Sequence, residues 1–187
     1  MEGRFKRELV ALIPHLRAFA RTLTGDQASA DDLAQDALMK AWDARASYQM
    51  GTNMKAWTFM ILRNQFYSEK RRSWRQTQLD QEAAERTLVA VDDPQSPVAL
   101  DEMRLALAML PAEQREALIL VGAGGFAYEE AAEICGCAVG TVKSRVSRAR
   151  RALQSILEAG AYPRDGRAAS EAMGAILAAV EHMAQTR

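Results

Sequence analysis

Residues 128–153, YEEAAEICGCAVGTVKSRVSRARRAL, describe a helix, a tight turn and a second helix, with five cations and no carboxylate between Thr141 and Arg151. At about 100° per residue, Val139, Val142, Val146, Ala149 and Leu153 form one apolar stripe. Ser144, Ser147, Arg148 and Arg151 take the opposite side, flanked by Lys143, Arg145 and Arg150. One face can pack on a core while the other offers hydroxyls and guanidinium groups to a polyanion. An α-helix fits the major groove of B-DNA, where Arg and Lys reach guanine acceptors and Ser can bond several base edges. The first helix, Tyr128 to Cys135, has Ala131, Ala132 and Ile134 to pack, and Gly136 suits the sharp turn of a helix-turn-helix unit. A solvated basic surface helix is the plainer alternative; the turn and the sorted faces favour DNA reading.

The chain of 187 residues carries 24 basic and 24 acidic side chains, so its formal charge is zero. The charge is segregated, however. Six cations lie between Lys55 and Arg75 against Glu69 alone, and seven carboxylates lie between Gln76 and Glu102 against Arg86 alone. A neutral total therefore conceals two basic patches around an acidic stretch. With 49% hydrophobic residues, a folded globular chain is expected. No apolar run approaches the roughly 20 residues that span a bilayer, and the first residues are charged rather than signal-like, so a cytoplasmic protein is expected. The two cysteines, Cys135 and Cys137, sit one residue apart, and His15 and His182 are remote in sequence. That spacing suits neither a disulfide nor a zinc site, and both thiols read as small packing groups; no metal or cofactor is expected.

Earlier in the chain, Phe5, Leu9, Leu12, Leu16, Phe19 and Leu23 recur at helical spacing, with Pro14 as a kink or a late start. Ser29 and Asp32 resemble a capping box for a second helix, 30–45, that buries Ala30, Ala34, Ala37, Leu38 and Ala41. Its other face shows Asp32, Gln35, Asp36 and Met39, and the wheel leaves a solvated surface and a docking face equally open. YQMGTN, residues 48–53, reads as a loop. A third helix, 54–74, interleaves Trp57, Phe59, Phe66, Tyr67 and Trp74 with Arg63, Lys70, Arg71 and Arg72. Much of this aromatic content is core; the dense cations at its end suit a single-strand binder. Gln76 to Pro97 reads as an acidic linker and a domain boundary. Helices over 98–110 and from Pro111 to Val121 follow, and Gly122 to Phe126 turns the chain into the helix-turn-helix. After Gly160, Ala168 to Gln185 forms an amphipathic helix of unassigned role.

Four motifs in this order, DDLAQDALMKAW (31–42), KAWTFMILRNQFYSEKRR (55–72), LPAEQREALIL (110–120) and GTVKSRVSRARRAL (140–153), carry a resemblance. The chain resembles the extracytoplasmic-function group of bacterial RNA polymerase sigma factors over residues 9 to 158. GTNMKAWTFMILRN and GGFAYEEAAEICGCAVGTVKSR look further like the subgroup that directs the general stress response in alphaproteobacteria. The resemblance implies an all-α protein of two small domains without catalytic activity. Residues 1–75 would be sigma region 2, 76–97 the linker that threads the polymerase channels, 98–159 sigma region 4, and 160–187 an extension outside the family pattern. Asp32, Gln35, Asp36 and Met39 would dock on the clamp helices of the polymerase β′ subunit, within a core polymerase that includes β. Tyr48, Gly51, Thr52, Asn53 and Asn64 would hold an unstacked base of the −10 element, with Lys70, Arg71 and Arg72 on nearby phosphates. Lys143, Ser144, Ser147 and Arg148 would read the −35 element, with Arg145, Arg150 and Arg151 on its phosphates. The subgroup also implies a NepR-like anti-sigma partner, itself released by a PhyR-type response regulator. The competing readings are a stand-alone helix-turn-helix regulator, for which no dimerisation element is evident apart from the tail, and a nucleic-acid enzyme, for which no catalytic constellation is present.

Overall fold

The computed structural model describes residues 2–79, 103 and 105–159. Among these residues there are helices and turns and no strand, as the periodicity predicts. Helices α1 (Glu2–Ala11), α2 (Ile13–Thr24), α3 (Gln27–Asp43) and α4 (Met54–Leu79), with a short 3-10 turn at Ala44–Ser47, make the first half. Helices α5 (Ala112–Gly122), α6 (Tyr128–Cys135) and α7 (Val139–Ala159) make the second, preceded by helical residues 105–108. The acidic segment from residue 80 to 102 and the C-terminal extension lie outside the described residues.

Pro14 marks a late start: α1 stops at Ala11, and the proline occupies the first turn of α2, where its missing N–H costs no intrahelical bond. Gly25, at φ 87°, ends α2 in the left-handed conformation and returns its N–H to the Arg21 carbonyl. The expected cap of the next helix is displaced. Asp26, in extended conformation, is the N-cap, and its carboxylate accepts from the Ser29 N–H at 2.8 Å, so Ser29 already lies inside α3. Ala30, Ala34, Ala37 and Ala41 then form a buried small-residue stripe that lets α3 approach its neighbours closely. Leu33, which the wheel had not selected, is buried with them, and Leu38 is half-buried. Helix α4 runs one turn beyond its expected end at Trp74.

The two halves pack against each other. Leu16, Phe19, Leu33, Phe59 and Leu62 share one continuous apolar cluster with Ala117, Leu120, Phe126, Ile134 and Val146. A row of rings crosses the boundary: Phe19 stacks on Phe59 at 4.7 Å, and Phe59 meets Phe126 edge-on at 5.0 Å. Two smaller clusters sit at the ends. One gathers Phe5, Leu9, Ala41, Tyr48 and Met54 beneath the 48–53 loop; the other joins Met103, Leu107, Leu110, Ile119 and Ala149 behind α7.

Candidate nucleic-acid interfaces

The helix-turn-helix forms at the residues where it was expected. Helix α6 ends at Gly136, φ 62°, and the Cys137 N–H closes the turn on the Ala132 carbonyl at 3.1 Å. Val142, Val146 and Ala149 are buried and Val139 and Leu153 half-buried, so the apolar stripe of α7 faces the core. Lys143, Ser144, Ser147, Arg148, Arg150 and Arg151 are all exposed. Arg148 folds back along this ridge, its Nε donating to the Ser144 carbonyl and its Nη2 to Ser144 Oγ, both at 3.2 Å. The serine hydroxyl itself donates to the Thr141 carbonyl at 2.9 Å. Lys143 Nζ lies 5.7 Å from the Tyr128 ring.

Arg145 is the correction on this helix. It is largely buried, ion-paired with Glu113 of α5, and its guanidinium also reaches Cys137 Sγ at 3.7 Å. It fastens α7 to α5 and is not available as a phosphate contact in this arrangement. Cys135 is buried, and burial first, then the Glu116 charge, pushes its thiol up to about 12. Both cysteines are packing groups, and among the described residues no cluster of His, Cys, Asp or Glu could hold a metal ion.

In the first half, the 48–53 loop is preformed. Thr52 donates its N–H and its hydroxyl to the Gln49 carbonyl, and Gly51 takes φ 97°, a conformation that favours glycine. Tyr48 is the second correction. Its ring is buried among Phe5 and Trp57, and its hydroxyl donates to the Thr52 carbonyl at 2.6 Å, so it braces the loop from below and offers no ring to a base. Gly51, Thr52 and Asn53 are exposed. Asn53 begins α4: its Oδ1 accepts the Ala56 N–H at 3.0 Å, leaving the side-chain NH2 as its remaining donor. Asn64 is exposed but stands about 16 Å further along the helix axis. The two asparagines therefore cannot grip one base together. At the far end of α4, Lys70, Arg71 and Arg72 are exposed beside Trp74, whose indole is 67% exposed.

On α3, Asp32, Gln35, Asp36 and Met39 share one exposed face, with Met39 at 58%. An exposed methionine among acidic groups is consistent with a docking face for a basic partner.

The contacts that residue patterning missed lie between the halves. Glu116, 1% exposed, accepts from Arg63 Nε at 2.6 Å and Nη2 at 3.4 Å, and from the Tyr67 hydroxyl at 3.3 Å. Burial pulls the Arg63 guanidinium down, but the hydrogen bond and charge of Glu116 outweigh it and the group is held above its ordinary value. Tyr67 is pushed up to about 12 by burial and by Glu116. Lys55 donates to the Gly124 carbonyl at 2.9 Å and lies over the Phe126 ring; burial lowers its pKa. Glu116 directly precedes the apolar run ALILV, one helical turn before the buried Leu120, and that spacing is the available sign that its carboxylate needs a buried partner.

The described residues are helical, with an exposed basic recognition helix in one half and, in the other, a braced loop at one end of a helix whose far end is cationic; these define the class of two-part nucleic-acid readers. The family model of sigma-70 region 2 matches residues 9–76, and that of sigma-70, region 4, matches residues 100–153. The ECF RNA polymerase sigma factor EcfG of Rhodopseudomonas palustris (strain TIE-1) is 48% identical over 150 residues, 80% of this chain and 83% of its own. The ECF RNA polymerase sigma factor SigC of Mycobacterium tuberculosis is 34% identical over 68% of this chain and 70% of its own. Among solved structures, the sigma factor RpoE in complex with the anti-sigma factor NepR, from Bartonella quintana, aligns with a TM-score of 0.74 at 50% identity, covering 83% of this chain and 97% of that one. CnrH in complex with the cytosolic domain of CnrY aligns with a TM-score of 0.60 at 25% identity, over 85% and 90% of the two chains. The chain belongs to the extracytoplasmic-function RNA polymerase sigma factors.

Proposed function

We propose that this sigma factor reads its promoter at the two surfaces described above and serves general stress-response genes. The observation that carries the site assignment is the exposed ridge Lys143, Ser144, Ser147 and Arg148 on a helix whose opposite stripe is buried. Placed in a major groove, that ridge contacts the −35 bases, while Arg150 and Arg151 hold phosphates that position without specifying. Gly51, Thr52, Asn53 and Asn64 face melted −10 DNA, and Lys70, Arg71 and Arg72 neutralise its backbone. Asp32, Gln35, Asp36 and Met39 meet core polymerase. The protein performs no chemistry of its own; it confers specificity on the polymerase that does. Among the described residues no helix is long and apolar enough to cross a membrane, and the proposed site of action is the cytoplasm.

The stress-response assignment rests on the 48% identity to a relative named EcfG. A NepR-like protein is the proposed anti-sigma partner, supported by the 50% identity to a sigma factor solved with NepR. Pull-down of the tagged chain from unstressed cells should recover a small NepR-like protein and from stressed cells should recover polymerase. Equal recovery of polymerase under both conditions would refute this regulation.

A further inference from the structure

Every other aromatic side chain on α4 has a ring or a cation against it. Trp57 packs on Phe5 and Tyr48, and Phe59 on Phe19. Phe66 meets Tyr67 edge-on, with Lys70 over the first ring at 5.9 Å and Arg63 over the second at 4.5 Å. Trp74 has no such partner among the described residues and is their most exposed large apolar side chain, at 67%. Isolated apolar groups on a surface are ordinary, but tryptophan is highly buried on average. Its surroundings are cationic. Lys70 precedes it by four residues and Arg71 by three, so both share its face of the helix, and Arg75 follows; all three are exposed. Among the described residues no carboxylate pairs with them.

This constellation lies beyond the stretch that the 51–53 loop can read. Trp74 stands about 31 Å from Asn53 along the axis of α4. A −10 element of about six stacked bases spans only roughly 20 Å at 3.4 Å per step. On DNA that follows α4 from the loop to its cationic end, a base that meets Trp74 therefore flanks the element. Every base has a π-face, so an indole at that place holds a base without reading it.

We propose that Trp74 is a stacking platform for an unpaired base at the margin of the melted segment, with the neighbouring phosphates held by Lys70, Arg71 and Arg75. The proposal rests on the reading that the cationic end of α4 meets promoter DNA. Stacking there offsets part of the cost of separating a base pair beside the −10 element, so it favours the open form whatever the flanking sequence. The exposure of the ring then has a physical reason: a face that must accept a base has to stay uncovered in the free chain. A protein on this patch would have to bring carboxylates to three cations, whereas DNA presents a phosphate at every step.

The test uses the full chain assembled with core polymerase and a promoter fragment left unpaired through the −10 element and for several bases on each side. Trp74→Leu keeps an apolar side chain without a ring, and Trp74→Phe keeps a ring; both should melt as the wild type does, because the indole has no ring or cation partner to lose. Trp74→Leu should weaken binding to the fragment by about five-fold or more, and Trp74→Phe should recover most of that loss. A 2-aminopurine moved through the flanking bases should be quenched at one position by the wild type and not by Trp74→Leu. The platform is refuted if the leucine variant binds as tightly as the wild type, or if the two variants lose equally. Weakened assembly of Trp74→Leu with polymerase in the absence of DNA would place the indole on a protein interface and refute it as well. Replacing Lys70, Arg71 and Arg72 by alanine checks the underlying reading separately. A lower salt dependence in that variant beside full affinity in Trp74→Leu overturns the platform alone; no effect of either overturns both.

Discussion

Arg148 is held against Ser144 by two hydrogen bonds, so its guanidinium is already aligned along the exposed ridge of α7. Arg148→Ala should cost about 1–3 kcal/mol at one position of the upstream element, read as relaxed base preference in a binding series. A uniform loss over all sequences would make it a phosphate contact instead. Arg151→Ala should lower the salt dependence of −35 binding by about one unit of slope, whereas Arg145→Ala should leave the slope unchanged because its guanidinium is paired with Glu113. A slope lowered equally by both would contradict the structure. The sign of one pH effect also follows from single residues. Tyr67, facing Glu116, Arg63 and Glu113, and Cys135, facing Glu116, Arg63, Cys137 and Arg145, both lose their protons later in the folded chain, near 12, than at their ordinary values of 10.0 and 9.0. Between about pH 9 and 12 the unfolded chain therefore binds fewer protons, and stability must fall as pH rises. Urea midpoints should decline progressively across that window, and Tyr67→Phe should flatten the upper part of the fall.

At the scale of the element, local chemistry made most of the fold legible before any coordinates. The sequence placed α6 to the residue because Gly136 could be recognised as its stop, and it placed the buried stripe of α7 because valines recur at helical spacing. It missed the start of α3 because several Asp and Ser residues compete to cap one helix, and only backbone conformation selects Asp26. The resemblance implies Tyr48 on the DNA surface, and the residues alone do not correct it, because a loop tyrosine looks the same in sequence whether it faces outward or supports the loop from beneath. Arg145 was assigned to phosphate for a related reason: a helical wheel cannot see Glu113 on another helix. The turn between α5 and α6 yields a direct prediction. A Cβ on Gly124 would lie 2.6 Å from the Leu120 carbonyl oxygen and 2.9 Å from the Phe126 ring. Gly124→Ala should destabilise the protein by about 1–3 kcal/mol, the ordinary cost of forcing extra volume into a packed site. An unchanged denaturation midpoint would show that the turn shifts without penalty.

For the whole molecule, the charge pattern shows two basic patches around an acidic stretch of sequence, but nothing in it shows that the halves share a core. Phe59, Arg63 and Tyr67 lie on one side of α4, and their sequence spacing alone gives no sign that α5 and α6 are set against them. Asp36, by contrast, remains exposed on α3, so Asp36→Arg should weaken binding to core polymerase without altering the melting temperature. Unchanged affinity for polymerase would remove that face from the docking surface. The proposed role of this chain is to confer promoter specificity on core polymerase. Run-off transcription with purified core polymerase tests that most directly. Transcripts should start at stress promoters when the chain is added and vanish with Lys143, Ser144, Ser147 and Arg148 replaced by alanine; absence of promoter-dependent transcripts with the wild-type chain would contradict it.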